Sequence, residues 1–127
     1  MKITMTSVLV DDQAKALKFY TEVLGFVKKS DLPAGSFRFL TLTAPDGSPD
    51  VELLLEPNAH PAAQTFQKAI YDDGIPATSF QAADIQAEYE RLSRLGVVFR
   101  AKPTKAGTAT VAVFEDTCGN LIQLHQV

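Results

Sequence analysis

The sequence predicts an α+β fold built from two βαβββ modules, and three observations carry that expectation. Segments of strand composition alternate with segments of helical periodicity. The order strand, helix, strand, strand, strand occurs twice. Equivalent landmarks also keep one spacing: Leu24-Gly25 and Leu95-Gly96 close two helical patterns, and Glu52 and Gln123 stand in the two final strand patterns at that same separation. Ahead of the helices the spacing is one residue greater, because Asp12 to Gly25 is one step longer than Asp84 to Gly96; Met5 then corresponds to Ala77. A repeat of about 70 residues is too long for a solenoid unit and two copies are too few, so paired modules sharing a curved mixed sheet are the better physical picture.

Each element has a local justification. Residues 2–10 are rich in Thr, Val and Ile, which suits a pleated strand. Asp11 and Asp12 offer a helix N-cap, Ala14, Leu17, Tyr20 and Leu24 recur at helical spacing as one apolar face, and Gly25 closes the helix. Phe26 to Leu32, Phe37 to Thr43 and Val51 to Glu56 are three strand patterns, parted by turn compositions at residues 33–36 and 45–49. A connecting helix is expected over Pro61 to Asp73, with Ala62, Phe66 and Ile70 on one side and Gly74 as its stop. Ala77 to Ala82 reads as a strand, and Asp84 caps a helix whose stripe is Ile85, Tyr89, Leu92 and Leu95, ended by Gly96. Val97 to Ala101, Thr108 to Glu115 and Leu121 to Gln126 complete the second module, parted at residues 102–107 and 116–120. The chain is expected to be one domain, with module 1 over residues 1–57, the connection over 58–74 and module 2 over 75–127.

Composition removes several classes of partner. The 127 residues suffice for one ordinary domain with its own core. Lys and Arg number 12 against 15 Asp and Glu, a net charge of −3, and no basic cluster is present to meet a nucleic-acid backbone or an anionic membrane. Apolar runs such as Leu53 to Leu55 are too short to span a bilayer, and Met1 to Val10 is threaded with Thr4, Thr6 and Ser7, unlike the apolar centre of a signal peptide. The lone Cys118 has no partner for an internal disulfide. A cytoplasmic protein is expected.

Four segments carry a family resemblance: Val10-Asp11-Asp12, Phe19-Tyr20 with Leu24-Gly25-Phe26, Val51-Glu52-Leu53-Leu54, and Phe114-Glu115-Asp116 with Gly119-Asn120-Leu121-Ile122. Together they resemble the vicinal oxygen chelate superfamily, which includes glyoxalase I, bleomycin-resistance proteins and extradiol dioxygenases. The resemblance spans nearly the whole chain and implies two βαβββ modules whose curved sheets enclose a cleft, as a rule in a homodimer. In metal-using members it implies four ligands, from the first and last strands of both modules. Carried over one at a time, these positions fall on Met5, Ala77, Glu52 and Gln123. Alanine has no donor and a thioether prefers soft metals, so one carboxylate and one amide oxygen remain, too few for a catalytic divalent ion. No metal and no other cofactor is expected.

Individual side chains sharpen the reading. Glu52 alternates with Val51 and Leu53, which places it with Leu54 on the other strand face. There it is either an exposed carboxylate or a cleft-lining acid that accepts a proton or binds a cationic ligand group. Gln123 shares its face with Leu121 and His125, so His125 either extends the cleft or decorates the surface; Glu52, Gln123 and His125 are the one conceivable non-standard metal set. Ser7 beyond Met5 completes the expected binding residues together with Phe39 and Phe99, phenylalanines that serve either as core between sheet and helices or as aromatic lining for a planar ligand. Cys118 has no adjacent cation or helix N-terminus and reads as structural, Asp11 and Asp12 as a cap, Arg38 as either solvated or in contact with an anionic group, and His60 as part of the connection. Three functions follow: a metal-independent binder of a small organic molecule; a lyase, isomerase or dioxygenase-type enzyme with Glu52 as acid or base; and a structural homodimer with filled clefts.

Overall fold

Strand alternation in β1 (Met5–Val10) turns Val8 and Val10 into the core and leaves Met5 and Ser7 on the opposite, open face. The computed structural model describes all 127 residues, which divide into two units, Met1–Gln64 and Thr65–Val127. In the first unit β1 is followed by α1 (Gln13–Lys18), a π-helical turn (Phe19–Val23), β2 (Val27–Ala34), β3 (Phe37–Thr43) and β4 (Glu52–Pro57). The sheet order is β1-β4-β3-β2, with β1 parallel to β4 and the other pairs antiparallel. Helix α2 (Pro61–Asp72) contains the boundary between the units. In the second unit, β5 (Thr78–Gln81), α3 (Ile85–Arg94), β6 (Phe99–Ala106), β7 (Ala109–Glu115) and β8 (Leu121–Gln126) repeat that topology as β5-β8-β7-β6. The α+β, twice-βαβββ expectation therefore holds, but each unit closes its own four-stranded mixed sheet and no strand pairing joins the two into the single shared sheet expected.

Leu40, Leu42, Leu53 and Leu55 join Val8, Val10, Ala16 and Tyr20 in the first core; Ile85, Leu92, Ala112, Phe114, Ile122 and Leu124 build the second. A fully buried leucine contributes about 2 kcal/mol, so these apolar faces hold each sheet to its helix. Asp12 and Asp84 cap α1 and α3 as expected, their carboxylates accepting from Lys15 N and Ala87 N at 3.0 Å each.

Three apolar stripes differ from expectation. In the first helix the buried residues are Gln13, Ala16, Phe19 and Tyr20, while Ala14 is exposed. The Gln13 amide satisfies backbone groups in the sheet, and the π-turn, closed by Leu24 N donating to Phe19 O at 3.1 Å, buries two consecutive aromatics. In α2 the buried residue is Gln67, whereas Phe66 is 58% exposed. In α3 the helix ends at Arg94, so Leu95 leaves the stripe and is exposed.

The hairpins differ in the same way in both units. The expected turns at 33–36 and 102–107 shrink to Gly35-Ser36 and Gly107-Thr108, where Gly35 (φ 61°) and Gly107 (φ 65°) take left-handed backbone. Pro33 and Pro103 are absorbed into strands because β2 and β6 are edge strands, and both strands carry register shifts.

Candidate functional site

Alternation in β4 sends Leu53 and Leu55 to the core and Glu52 and Leu54 to the open face of the first sheet; β3 does the same with Leu40 and Leu42 against Thr41. Glu52 consequently meets Thr41, whose hydroxyl donates to Glu52 Oε1 at 2.8 Å, while Lys29 Nζ stands 3.7 Å from Oε2. Its side chain is only 18% exposed. Met5 pairs with Glu52 in the β1/β4 ladder and Ser7 with Leu54, and Phe39 shares Thr41's strand parity. Sequence reasoning had not connected Thr41 or Lys29 to Glu52, since both partners come from other strands.

Arg38 is not simply solvated. Its Nε and Nη2 bind the two oxygens of Asp31 at 3.0 and 2.7 Å, and this guanidinium holds the Asp31 carboxyl down at about 2.

In the second unit Gln123 and His125 share one face of β8, opposite the buried Leu124. The residue across the parallel ladder from Gln123 is Ser79; Ala77 lies just before β5, its N–H donating to Leu121 O at 2.8 Å. Pairing register thus brings Ser79 to the place that Met5 holds opposite Glu52. Gln123 Nε2 donates to Ser79 Oγ at 3.1 Å, and Ser79 Oγ lies 2.7 Å from His125 Nδ1. Phe99 is placed on the helix side, edge-on to Tyr89 of α3 with centroids 4.7 Å apart and 5.7 Å from the buried Phe114. His60 caps α2, accepting at Nδ1 from Ala62 N at 3.0 Å.

A second polar cluster was not anticipated. Tyr71 of α2 donates its hydroxyl to Glu115, and Arg100 Nη2 reaches both the Tyr71 hydroxyl and Glu115 Oε1 at 2.8 Å. The guanidinium also lies over the Tyr71 ring, 5.2 Å from its centroid. Tyr71 and Glu115 line a cavity of about 200 Å³ with Thr117, Gly119 and Asn120. The Tyr71 hydrogen bond, then Arg100, holds the Glu115 carboxyl below its usual value, and the same bond to Glu115 pushes the Tyr71 phenol up. A depressed carboxyl stabilises the folded state fully above its unfolded value and loses that contribution as pH falls toward the folded one. Acid titration of stability should therefore show a downward slope below the ordinary glutamate range that is shallower in Glu115→Gln; an identical slope in the variant would refute the assignment.

The turn after β7 is fully knitted. Asp116 Oδ1 accepts from Cys118 N at 2.8 Å and Asn120 N at 3.0 Å, Oδ2 accepts from Asn120 Nδ2 at 2.8 Å, and Gln67 Nε2 reaches Cys118 O and Asn120 Oδ1. Cys118 is completely buried, in keeping with a structural role.

These residues do not fit a resident divalent ion. The Glu52 carboxylate is already matched by an ammonium, Gln123 offers a single neutral amide oxygen, Met5 a thioether and Ala77 nothing. No three His, Cys, Asp or Glu side chains are grouped to hold a metal.

Comparison with known proteins gives a consistent picture. The family described as Glyoxalase/Bleomycin resistance protein/Dioxygenase superfamily matches residues 2–124. Protein YurT of Bacillus subtilis (strain 168) is 60% identical over 126 residues, 99% of each chain. Among solved structures, UcmS2 superposes with a TM-score of 0.84 at 33% identity, over 98% of this chain and 97% of its own. TnmS3 of Streptomyces sp. CB03234, described as an antibiotic binding protein, superposes with a TM-score of 0.78 at 30% identity, over 99% and 95%.

Proposed function

Because the chain belongs to the Glyoxalase/Bleomycin resistance protein/Dioxygenase superfamily, we propose that it binds a small organic molecule, without a metal ion, on the open sheet faces that carry Glu52 and Gln123. One observation carries this reading: the only carboxylate among the four superfamily ligand positions is engaged at one oxygen by Thr41 and approached at the other by Lys29. A carboxylate so occupied is a poor metal ligand, but with Phe39 and Leu54 nearby in the same sheet it suits a ligand with an apolar body and polar rim. The description of TnmS3 as an antibiotic binding protein supports the same class of ligand. No helix is long and apolar enough to cross a membrane. The reading has the protein act in the cytoplasm as a homodimer, for which the exposed Leu32, Phe37, Phe66 and Ile75 supply apolar surface.

Calorimetry with planar aromatic compounds in the presence of a chelator should give saturable binding, weakened about tenfold or more, or about 1.4 kcal/mol, in Glu52→Ala. Zinc, nickel and manganese should leave the thermal midpoint where it is. Stoichiometric metal retained through purification, or a large metal-induced rise in midpoint, would overturn the reading.

A further inference from the structure

We propose that Gln123, Ser79 and His125 form a hydrogen-bonded relay that reads an amide or lactam group on the bound molecule, serving as the polar anchor of the second sheet face. This rests on the ligand-binding reading above and names the chemistry that the second unit would recognise.

The argument is one of proton counting. Gln123 Nε2 donates to Ser79 Oγ at 3.1 Å and uses one of the oxygen's two lone pairs, so the serine keeps its hydrogen and one lone pair for a further partner. The one further partner on that oxygen is His125 Nδ1, 2.7 Å away. In the proposed relay the hydroxyl donates to Nδ1, which must then be bare, and the ring hydrogen of the neutral imidazole lies on Nε2. His125 then presents an N–H donor while Gln123 keeps its carbonyl Oε1 as an acceptor. Both side chains project from the same face of β8 and hang on the same hydroxyl, which keeps them close together. A neighbouring donor and acceptor complement a ligand group that carries an acceptor beside a donor: the C=O and N–H of an amide or lactam. Ser79 acts as the positioning residue, because without its hydroxyl neither the imidazole tautomer nor the amide orientation is held.

Two measurements test this. Nitrogen-15 spectra of the histidines, taken near pH 8 where an ordinary imidazole is neutral, should show His125 with its hydrogen on Nε2, and Ser79→Ala should lose that preference. Binding of 2-naphthamide should exceed that of 2-methylnaphthalene about tenfold, and the difference should disappear in His125→Phe and Gln123→Leu but persist in Tyr71→Phe. A hydrogen on Nδ1 in the free protein overturns the proposal, as does equal binding of the two compounds; in the latter case the ligand-binding reading survives. Binding of neither compound overturns both.

Discussion

Replacing Asp116 by alanine is expected to destabilise the protein by about 3 to 5 kcal/mol, a large part of the 5 to 15 kcal/mol that an ordinary domain possesses. Its carboxylate is fully buried and accepts from two backbone N–H groups and the Asn120 amide. Alanine would remove the acceptor that all three of these donors share inside the protein. The loss would spread, because Asn120 Oδ1 also receives Gln67 Nε2. The turn itself depends on this support: Thr117 is held at φ 64° and Gly119 at φ 99°, and a Cβ on Gly119 would stand 2.8 Å from Gln67 Nε2. Urea unfolding of Asp116→Ala decides the matter; a change under about 1 kcal/mol would mean the turn closes without the carboxylate.

The second large effect lies in the other unit. Gln13→Ala should cost about 2 to 3 kcal/mol, whereas Ala14→Gln, one residue along and exposed, should stay within about 0.5 kcal/mol of the parent. Gln13 Nε2 donates to Arg38 O at 2.7 Å and Leu55 O at 2.9 Å, and its Oε1 accepts from Arg38 N at 3.0 Å. One amide thus ties the start of β3 to the end of β4, and its removal leaves three backbone groups without partners. Thermal unfolding of the two variants side by side checks the contrast. If Ala14→Gln proved the more damaging, the phase of the first helix would be wrong.

Those two residues also mark how far the sequence was legible. Asp116 stands in a turn whose composition, with a glycine at 119, announces it. Gln13 carries no such sign. Hydrophobic periodicity chose Ala14 and Leu17 because a polar residue ordinarily marks the solvent side. Here the unpaired ends of two strands make a buried amide worth more than a buried methyl, and Gln67 repeats the case in α2 beside Cys118 and Asn120. The candidate site divides similarly. Glu52 and Gln123 could be placed on strand faces from alternation, but Lys29 and Thr41 on Glu52, and Ser79 rather than Ala77 across from Gln123, depend on pairing register. The Tyr71, Arg100 and Glu115 cluster joins α2, β6 and β7, whose meeting no local pattern records.

The sequence by itself determined the kinds and order of the elements, their twofold repetition, the aspartate caps and the tight turn after β7. All of these are set within a few residues by backbone sterics, side-chain periodicity and neighbouring hydrogen bonds. Tertiary structure alone decided which polar side chains are buried, how far the edge strands run through Pro33 and Pro103, and which side chain faces Gln123. Those outcomes depend on backbone groups and charges that distant segments leave without partners, and that demand exists only once the strands have paired.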